Sequence, residues 1–147
     1  MSQEQVREFH EKNGLPVAVS LASIDSDVGN KILFHCLTEL RKLSQSVLTA
    51  GQLFYDTDPR IFRVHLYLEE LSEIAEALCL CDKIKLADAL GDMDYINKGT
   101  AVVFNIPLER VFQEIHRSNM TKDVKNISRD RKNKGPNYDP PDLGFVG

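Results

Sequence analysis

The residues best suited to chemistry are carboxylates in two helical segments. In the first segment, helical spacing places apolar residues, among them Val64 and Leu71, on one side of the helix. The other side carries an acidic stripe formed by Glu69, Glu70, Glu73 and Glu76. The second segment carries Asp88 and Asp92 about one helical hairpin later. If the two helices fold back on each other, Glu73 comes level with Asp88 and Glu70 with Asp92. Four or five carboxylates then share one pocket.

The crowding of these carboxylates predicts a metal site. Carboxylates this close repel one another, so most of them must bind protons unless cations lie between them. Oxygen ligands without His or Cys suit Mg²⁺ or Mn²⁺ rather than Zn²⁺, and a hard divalent ion indicates phosphate chemistry. The alternative is a solvated helix face, which is what most acidic stripes are. The second acidic pair, at a matching level, favours the metal site.

The composition is that of one ordinary globular domain. The chain has 147 residues, 42% of them hydrophobic and 27% charged, and a net charge of −4. It is long enough to bury a core. We expect no signal peptide and no bilayer-spanning segment, which needs about 20 apolar residues, and therefore a cytoplasmic protein without membrane or specific nucleic-acid partners. Cys36, Cys79 and Cys81 lack zinc-ligand spacing and are expected to be reduced, buried thiols.

Capping signals and apolar periodicity predict an all-α helical bundle. Five helices are expected, over about residues 3–13, 26–51, 59–80, 82–104 and 107–119. The third and fourth helices form the central hairpin that positions the carboxylates. His35 is expected to be a hydrogen-bonded core or boundary residue. His65 is expected to have a surface role, although it could reach a phosphate or a nucleobase.

The C-terminal segment is locally basic and then rich in Gly and Pro. Between Arg117 and Lys134 there are seven basic residues and two acids. Such segments are usually solubilising or bind nucleic acid without specificity. A polyphosphate at a metal site, however, needs cationic partners on the side that the metal does not cover. We therefore predict phosphate or nucleotide contact from an extended tail, residues 120–147, that is mobile without ligand.

Five ordered sequence blocks resemble the all-α nucleoside triphosphate pyrophosphohydrolases, the group that contains MazG, dimeric dUTPases and phosphoribosyl-ATP pyrophosphatase. More narrowly, the chain is similar to the MazG-like, phosphoribosyl-ATP-pyrophosphatase-like proteins common in bacteria and phages. The blocks lie at residues 6–11, 69–73, 88–92 with Tyr95 and Gly99, 116–122 and 134–138. Where the wider family has a Glu, this chain has Ala89, for which Asp88 is expected to substitute. Residues 17–55 do not align with the family core and are interpreted as an insertion.

The resemblance implies a single domain over residues 1–147 that hydrolyses a nucleoside triphosphate to the monophosphate and pyrophosphate with Mg²⁺, or with Mn²⁺. It implies metal ligation by Glu70, Glu73, Asp88 and Asp92. It also implies that Glu69 orients or deprotonates the attacking water. The substrate would be contacted by Tyr95, Asn119, Lys122, Lys134 and Tyr138. A homodimer or higher homo-oligomer is expected, because the family's hairpin usually completes its core against other helices.

Three rival interpretations remain. A phosphoribosyl-ATP pyrophosphatase would use the same chemistry on a different substrate. A non-catalytic helical interaction protein would carry the acids as surface, with Ala89 marking a lost activity. A ferritin-like di-metal bundle needs Glu-x-x-His motifs, which the chain lacks. The residues do not discriminate between bases or between ribose and deoxyribose.

Overall fold

All five predicted helices are present in a computed structural model that describes residues 2–123 and 134–147. They are α1 (Gln3–Asn13), α2 (Asp27–Gly51), α3 (Pro59–Cys79), α4 (Lys83–Val103) and α5 (Leu108–Met120), with short 3₁₀ turns at Leu21–Ser23, Gln52–Phe54 and Gly144–Val146. The described residues contain no strand, which confirms the all-α prediction. Within the same residues, no helix is long and apolar enough to cross a membrane.

The helix starts follow the capping signals in the sequence. At four of the five helices a side chain just before the first turn accepts a hydrogen bond from a first-turn N–H group, namely at Ser2, Ser26, Asp58 and Asp82. Pro59 adds its fixed φ at the first position of α3. The two helices that carry the carboxylates therefore begin at defined points, which determines where their acidic residues lie along each helix.

The chain forms two compact units, Ser20–Phe104, and Met1–Val19 together with Asn105–Gly147. In the first unit α3 packs against both α2 and α4. In the second unit α1 packs against α5. The single domain over residues 1–147 stays a prediction.

Polar contacts set the antiparallel register of α3 and α4. The Arg63 guanidinium donates from Nη2 to the Ile96 carbonyl at 2.6 Å, and the Tyr67 hydroxyl donates to Asn97 Oδ1 at 2.9 Å. A Cβ at Gly99 would lie 2.8 Å from Arg63 Nη2. Gly99 therefore leaves room for the guanidinium, and α3 and α4 approach closely at this level.

Most of the fully buried apolar residues are alanines. The buried apolar side chains of the described residues are Leu37, Ala75, Ala77, Ala89 and Ala101. Val64 and Leu71, which the periodicity of α3 predicts as core, are 51% and 42% exposed, so this prediction is wrong for both. Other faces of α3 pack on α2 and α4. The buried residues of α3 include His65 and Ser72.

The prediction of buried thiols is wrong for Cys36, which is exposed, whereas Cys79 and Cys81 are half-buried. Cys36 lies in the first half of α2, where Ile32 is also exposed. Ile32 and Cys36 are thus left uncovered by the described residues of one chain, whereas Leu37 in the same half-helix is buried. His35, expected in the core or at its boundary, is also exposed, so that prediction is wrong.

The described part of the tail, residues 134–147, is held along α5 by polar contacts. Arg117 pairs with Asp139 at 2.7 Å, and the buried Ser118 donates to the Asp139 carbonyl at 2.8 Å. Arg110 lies 3.9 Å from the centre of the Phe145 ring. The sequence did not predict these contacts, and the mobility of the tail without ligand stays a prediction. Residues 124–133 lie outside the described part of the chain.

Candidate functional site

Three carboxylates from the central hairpin converge at one place. Glu70 and Glu73 of α3 and Asp92 of α4 each offer an oxygen, and the three oxygens lie within 4.8 Å of one another. The register contacts between α3 and α4 bring Glu70 level with Asp92, as the sequence predicts. Glu73, which the sequence predicts to lie level with Asp88, belongs to this group of three oxygens. Asp88 does not belong to it. The three residues are called the acid cluster below.

Glu70 is the most perturbed member of the acid cluster. It is half-buried, whereas Glu73 and Asp92 are exposed. Burial, followed by repulsion from Glu73 and Asp92, raises the pKa of Glu70 from 4.5 to about 6, and Glu69 and Asp88 add smaller contributions. Its Oε2 atom is buried without a hydrogen-bond partner among the described residues. A buried acceptor of this kind is costly unless a proton or a cation reaches it.

The acid cluster fits a hard divalent cation. In octahedral coordination at 2.0–2.1 Å, ligand oxygens are roughly 3 to 4 Å apart, so small side-chain rotations of the three residues suffice. A cation would also satisfy the unpartnered Glu70 oxygen. The donor set contains only carboxylate oxygens, as Mg²⁺ and Mn²⁺ prefer. The roles of these residues as metal ligands stay predictions that this geometry supports.

Asp88 lies outside the group of three oxygens. It is exposed and makes the smallest contribution to the raised pKa of Glu70. The neighbouring Ala89, where the wider family has Glu, is buried. A longer acidic side chain at that position would have to enter a closed contact, so the substitution by Ala fits the packing. A role for Asp88 in metal binding is still only predicted.

Glu69 faces a different side of α3 from Glu70. Its Oε1 atom lies 2.9 Å from His65 Nε2. Both residues line a cavity of about 480 Å³ between α2 and α3, together with Arg41, Ser44, Gln45, Leu48, Ser72, Glu73 and Glu76. Because Glu73 belongs both to this cavity and to the acid cluster, the two features adjoin. Glu69 is therefore next to the acid cluster without being part of it.

The expected surface role of His65 is wrong, because the residue is only 6% exposed. The Tyr55 ring, from the connection between α2 and α3, stacks on the imidazole at 5.7 Å. The spacing of four residues between His65 and Glu69 is the helical spacing of an interacting pair and is a sequence signal that could have identified the contact.

Four predicted substrate-binding residues meet in the unit that contains α1 and α5. Lys122 Nζ donates to Asn119 Oδ1 at 2.6 Å, and Lys134 Nζ lies 3.4 Å from the Tyr138 hydroxyl. Both ammonium groups lie over the Tyr138 ring, 5.8 and 4.6 Å from its centre. The nearby Ser118 hydroxyl, aided by the two lysines and opposed by burial, lowers the pKa of Tyr138. These residues are called the basic group.

A cavity of about 400 Å³ in this unit is lined by Lys122 and by residues that the sequence did not single out, among them Lys12, Asn13 and Asn137. Tyr95, the remaining predicted substrate contact, belongs to the other unit. It is 81% exposed on α4, one turn after Asp92. Neither the role of Tyr95 nor that of the basic group is established by this placement.

Comparison with known proteins identifies one family. The family model described as phosphoribosyl-ATP pyrophosphohydrolase matches residues 39–119, which is more than half of the chain. The match begins within α2 and ends within α5, so it includes the whole acid cluster. It also includes residues 39–55, which belong to the segment that the sequence blocks do not align with the family core. No curated protein and no solved structure matches the chain significantly.

Proposed function

The chain belongs to the phosphoribosyl-ATP pyrophosphohydrolase family and has a pyrophosphohydrolase-type function, and we propose that it hydrolyses a nucleoside triphosphate to the monophosphate and pyrophosphate with a divalent metal ion. The observation that carries the proposal is the acid cluster, with the buried and unpartnered oxygen of Glu70. The cytoplasm stays the proposed location of the reaction.

The proposed metal ligands are Glu70, Glu73 and Asp92, with Asp88 as a further candidate. The metal would be Mg²⁺ or Mn²⁺. When bound, such an ion neutralises phosphate charge and lowers the pKa of water. The chain itself contributes the antiparallel register of α3 and α4, which holds carboxylates from two helices together before any ligand arrives.

Glu69 is the proposed general base. Water attacks phosphorus, the anhydride bond between the α- and β-phosphates breaks, and pyrophosphate leaves. The proton that the attacking water loses is accepted by the Glu69 carboxylate, which is half-exposed and can reach solvent. Its position beside the acid cluster, through the shared Glu73, supports this role.

The proposed role of the basic group is to bind phosphate. Lys122 and Lys134 provide charge-assisted hydrogen bonds, and Asn119 and Tyr138 hold the two ammonium groups in place. Tyr95 would contact the nucleotide from α4.

Phosphoribosyl-ATP is a second candidate substrate, favoured by the description of the family. It carries the same triphosphate and would be cleaved at the same bond. Ribonucleoside and deoxyribonucleoside triphosphates, and phosphoribosyl-ATP, should therefore be compared in one assay with Mg²⁺ that separates pyrophosphate from phosphate release. We expect pyrophosphate from at least one of them. Phosphate release alone, or no hydrolysis of any, would overturn the proposed reaction, and the second result would favour the non-catalytic interpretation.

We also propose that the chain self-associates at least as a homodimer. Large apolar side chains that the sequence predicts as core are exposed, among them Val64 and Leu71 on α3 and Leu90 on α4. A second copy that covers these side chains would remove apolar surface from water. Light scattering during size-exclusion chromatography should give at least twice the mass of one chain. A monomer at about 100 μM, well above the micromolar Kd of a weak dimer, would contradict the proposal.

A further inference from the structure

His65 has only one polar partner in the described structure, and that partner is Glu69. An ionised carboxylate only accepts hydrogen bonds, so the contact of 2.9 Å requires a hydrogen on Nε2 of the imidazole. Nδ1 is buried and has no hydrogen-bond partner among the described residues. The polar function of this buried ring is therefore directed at Glu69 alone.

The ring is held in place by aromatic packing. Tyr55 stacks on His65 with an interplanar angle of 29°, and Tyr55 in turn contacts Phe62 at 5.2 Å. Gly51 permits this arrangement, because a Cβ there would lie 2.5 Å from Ile61 and 3.5 Å from the Tyr55 ring. The end of α2 and the connection to α3 thus fix the orientation of the imidazole.

Packing alone does not account for a histidine at this position. A phenylalanine would stack on Tyr55 equally well and would leave no unpaired buried nitrogen, which costs stability. What the imidazole adds is the polar contact of 2.9 Å with Glu69, whose own side chain is 50% exposed. This contact holds the carboxylate beside the cavity between α2 and α3, which both residues line.

We infer that His65 is the positioning residue of Glu69: it holds the carboxylate in the orientation in which it accepts the proton of the attacking water. This inference rests on the function proposed above. A misplacement of about 1 Å at a reacting group can reduce a rate about 100-fold, so loss of the contact with His65 should reduce kcat while substrate binding is retained.

The test compares substitutions at His65 in the full chain. His65→Phe keeps the aromatic packing and removes the donor, and it should reduce kcat about 10- to 100-fold with a KM within about twofold of wild type. His65→Gln keeps a donor and should recover part of this loss. The exposed His35 supplies the matched control, since His35→Phe makes the same replacement on α2 and should leave kcat unchanged. Circular dichroism confirms that each variant is folded.

A double substitution separates positioning from a general structural role. If His65 acts through Glu69, the variant with both His65→Phe and Glu69→Gln should be no slower than Glu69→Gln alone. Multiplied losses, or a wild-type kcat in His65→Phe, would overturn the inference while leaving the proposed reaction intact.

NMR of the imidazole tests the contact without reference to activity. Wild type should show the tautomer with hydrogen on Nε2, with slow exchange of that hydrogen, and Glu69→Ala should abolish the protection. An unprotected Nε2 hydrogen in wild type would overturn the inference even in an active enzyme. If wild type hydrolyses no nucleotide, the proposed function and the positioning role fall together, whatever the NMR shows.

Discussion

Asp92→Asn and Glu70→Gln should each abolish pyrophosphate release, with losses of at least about 10³-fold. Each substitution removes a proposed metal ligand from the acid cluster and changes the side-chain volume very little. The helices should remain folded, because neither residue takes part in the register contacts of Arg63 and Tyr67. Turnover with saturating Mg²⁺ measures the loss of pyrophosphate release, and circular dichroism measures whether the helices remain folded.

Glu70→Gln should also change how stability depends on pH in the metal-free protein. Because the pKa of Glu70 is raised from 4.5 to about 6, the folded state binds the proton more tightly than the unfolded state does. Wild type therefore loses stability as pH rises from about 4.5 through about 6, and the loss persists above that window. After allowance for solvent screening, the effect is on the order of 1 kcal/mol. In thermal melts in EDTA, Glu70→Gln should be more stable than wild type at pH 7. The loss of stability that wild type shows as pH rises from about 4.5 through about 6 should be absent from Glu70→Gln.

Asp94→Asn is the matched control for both measurements. Asp94 is an exposed residue of α4 that pairs with Lys98 and lies outside the acid cluster. Its substitution removes the same charge, so long-range electrostatics alone would affect Asp94→Asn and Asp92→Asn similarly. Near wild-type turnover in Asp92→Asn or Glu70→Gln would show that the site is wrongly assigned.

Replacing Lys122 and Lys134 together by Met should reduce kcat/KM at least about 100-fold. Each ammonium group would contribute a charge-assisted hydrogen bond to the triphosphate, worth about 1.5 to 3 kcal/mol. The loss should appear mainly as a higher KM, since the acid cluster and Glu69 are unchanged. Initial rates over a range of nucleotide concentrations at fixed free Mg²⁺ give the two constants separately.

A second pair of lysines controls for net charge. Lys42 and Lys98 each pair with an acid on their own helix, and replacing both by Met removes the same two charges. This control variant should keep a wild-type KM. If both double variants bind nucleotide equally well, the basic group does not contact the substrate.

Local chemistry explains why the helices were predictable. Ser2, Asp58 and Asp82 mark helix starts through hydrogen bonds that reach only three residues along the chain, and sequence shows these directly. The alignment of Glu70 with Asp92 follows from two helices of defined start joined by a short connection. The family resemblance was confirmed independently by the match over residues 39–119.

Features that depend on partners distant in sequence were not predictable. Periodicity identified an apolar face on α3 at Val64 and Leu71 but could not show that other faces pack within the chain. The burial of His65 requires Tyr55, which arrives from a connection without periodicity. The packing of residues 134–147 along α5 depends on polar pairs such as Arg117 with Asp139. Composition alone does not show which polar groups pair.

The central claim is that the acid cluster holds the metal ion that the reaction needs. Titration of Mn²⁺ into the metal-free protein, followed by electron paramagnetic resonance, counts bound ions directly, with and without an α,β-methylene nucleoside triphosphate. We predict that wild type and Asp94→Asn bind Mn²⁺ with the analogue present, and that Asp92→Asn and Glu70→Gln bind it at least about 10-fold more weakly. Equal Mn²⁺ binding by all four proteins would contradict the claim.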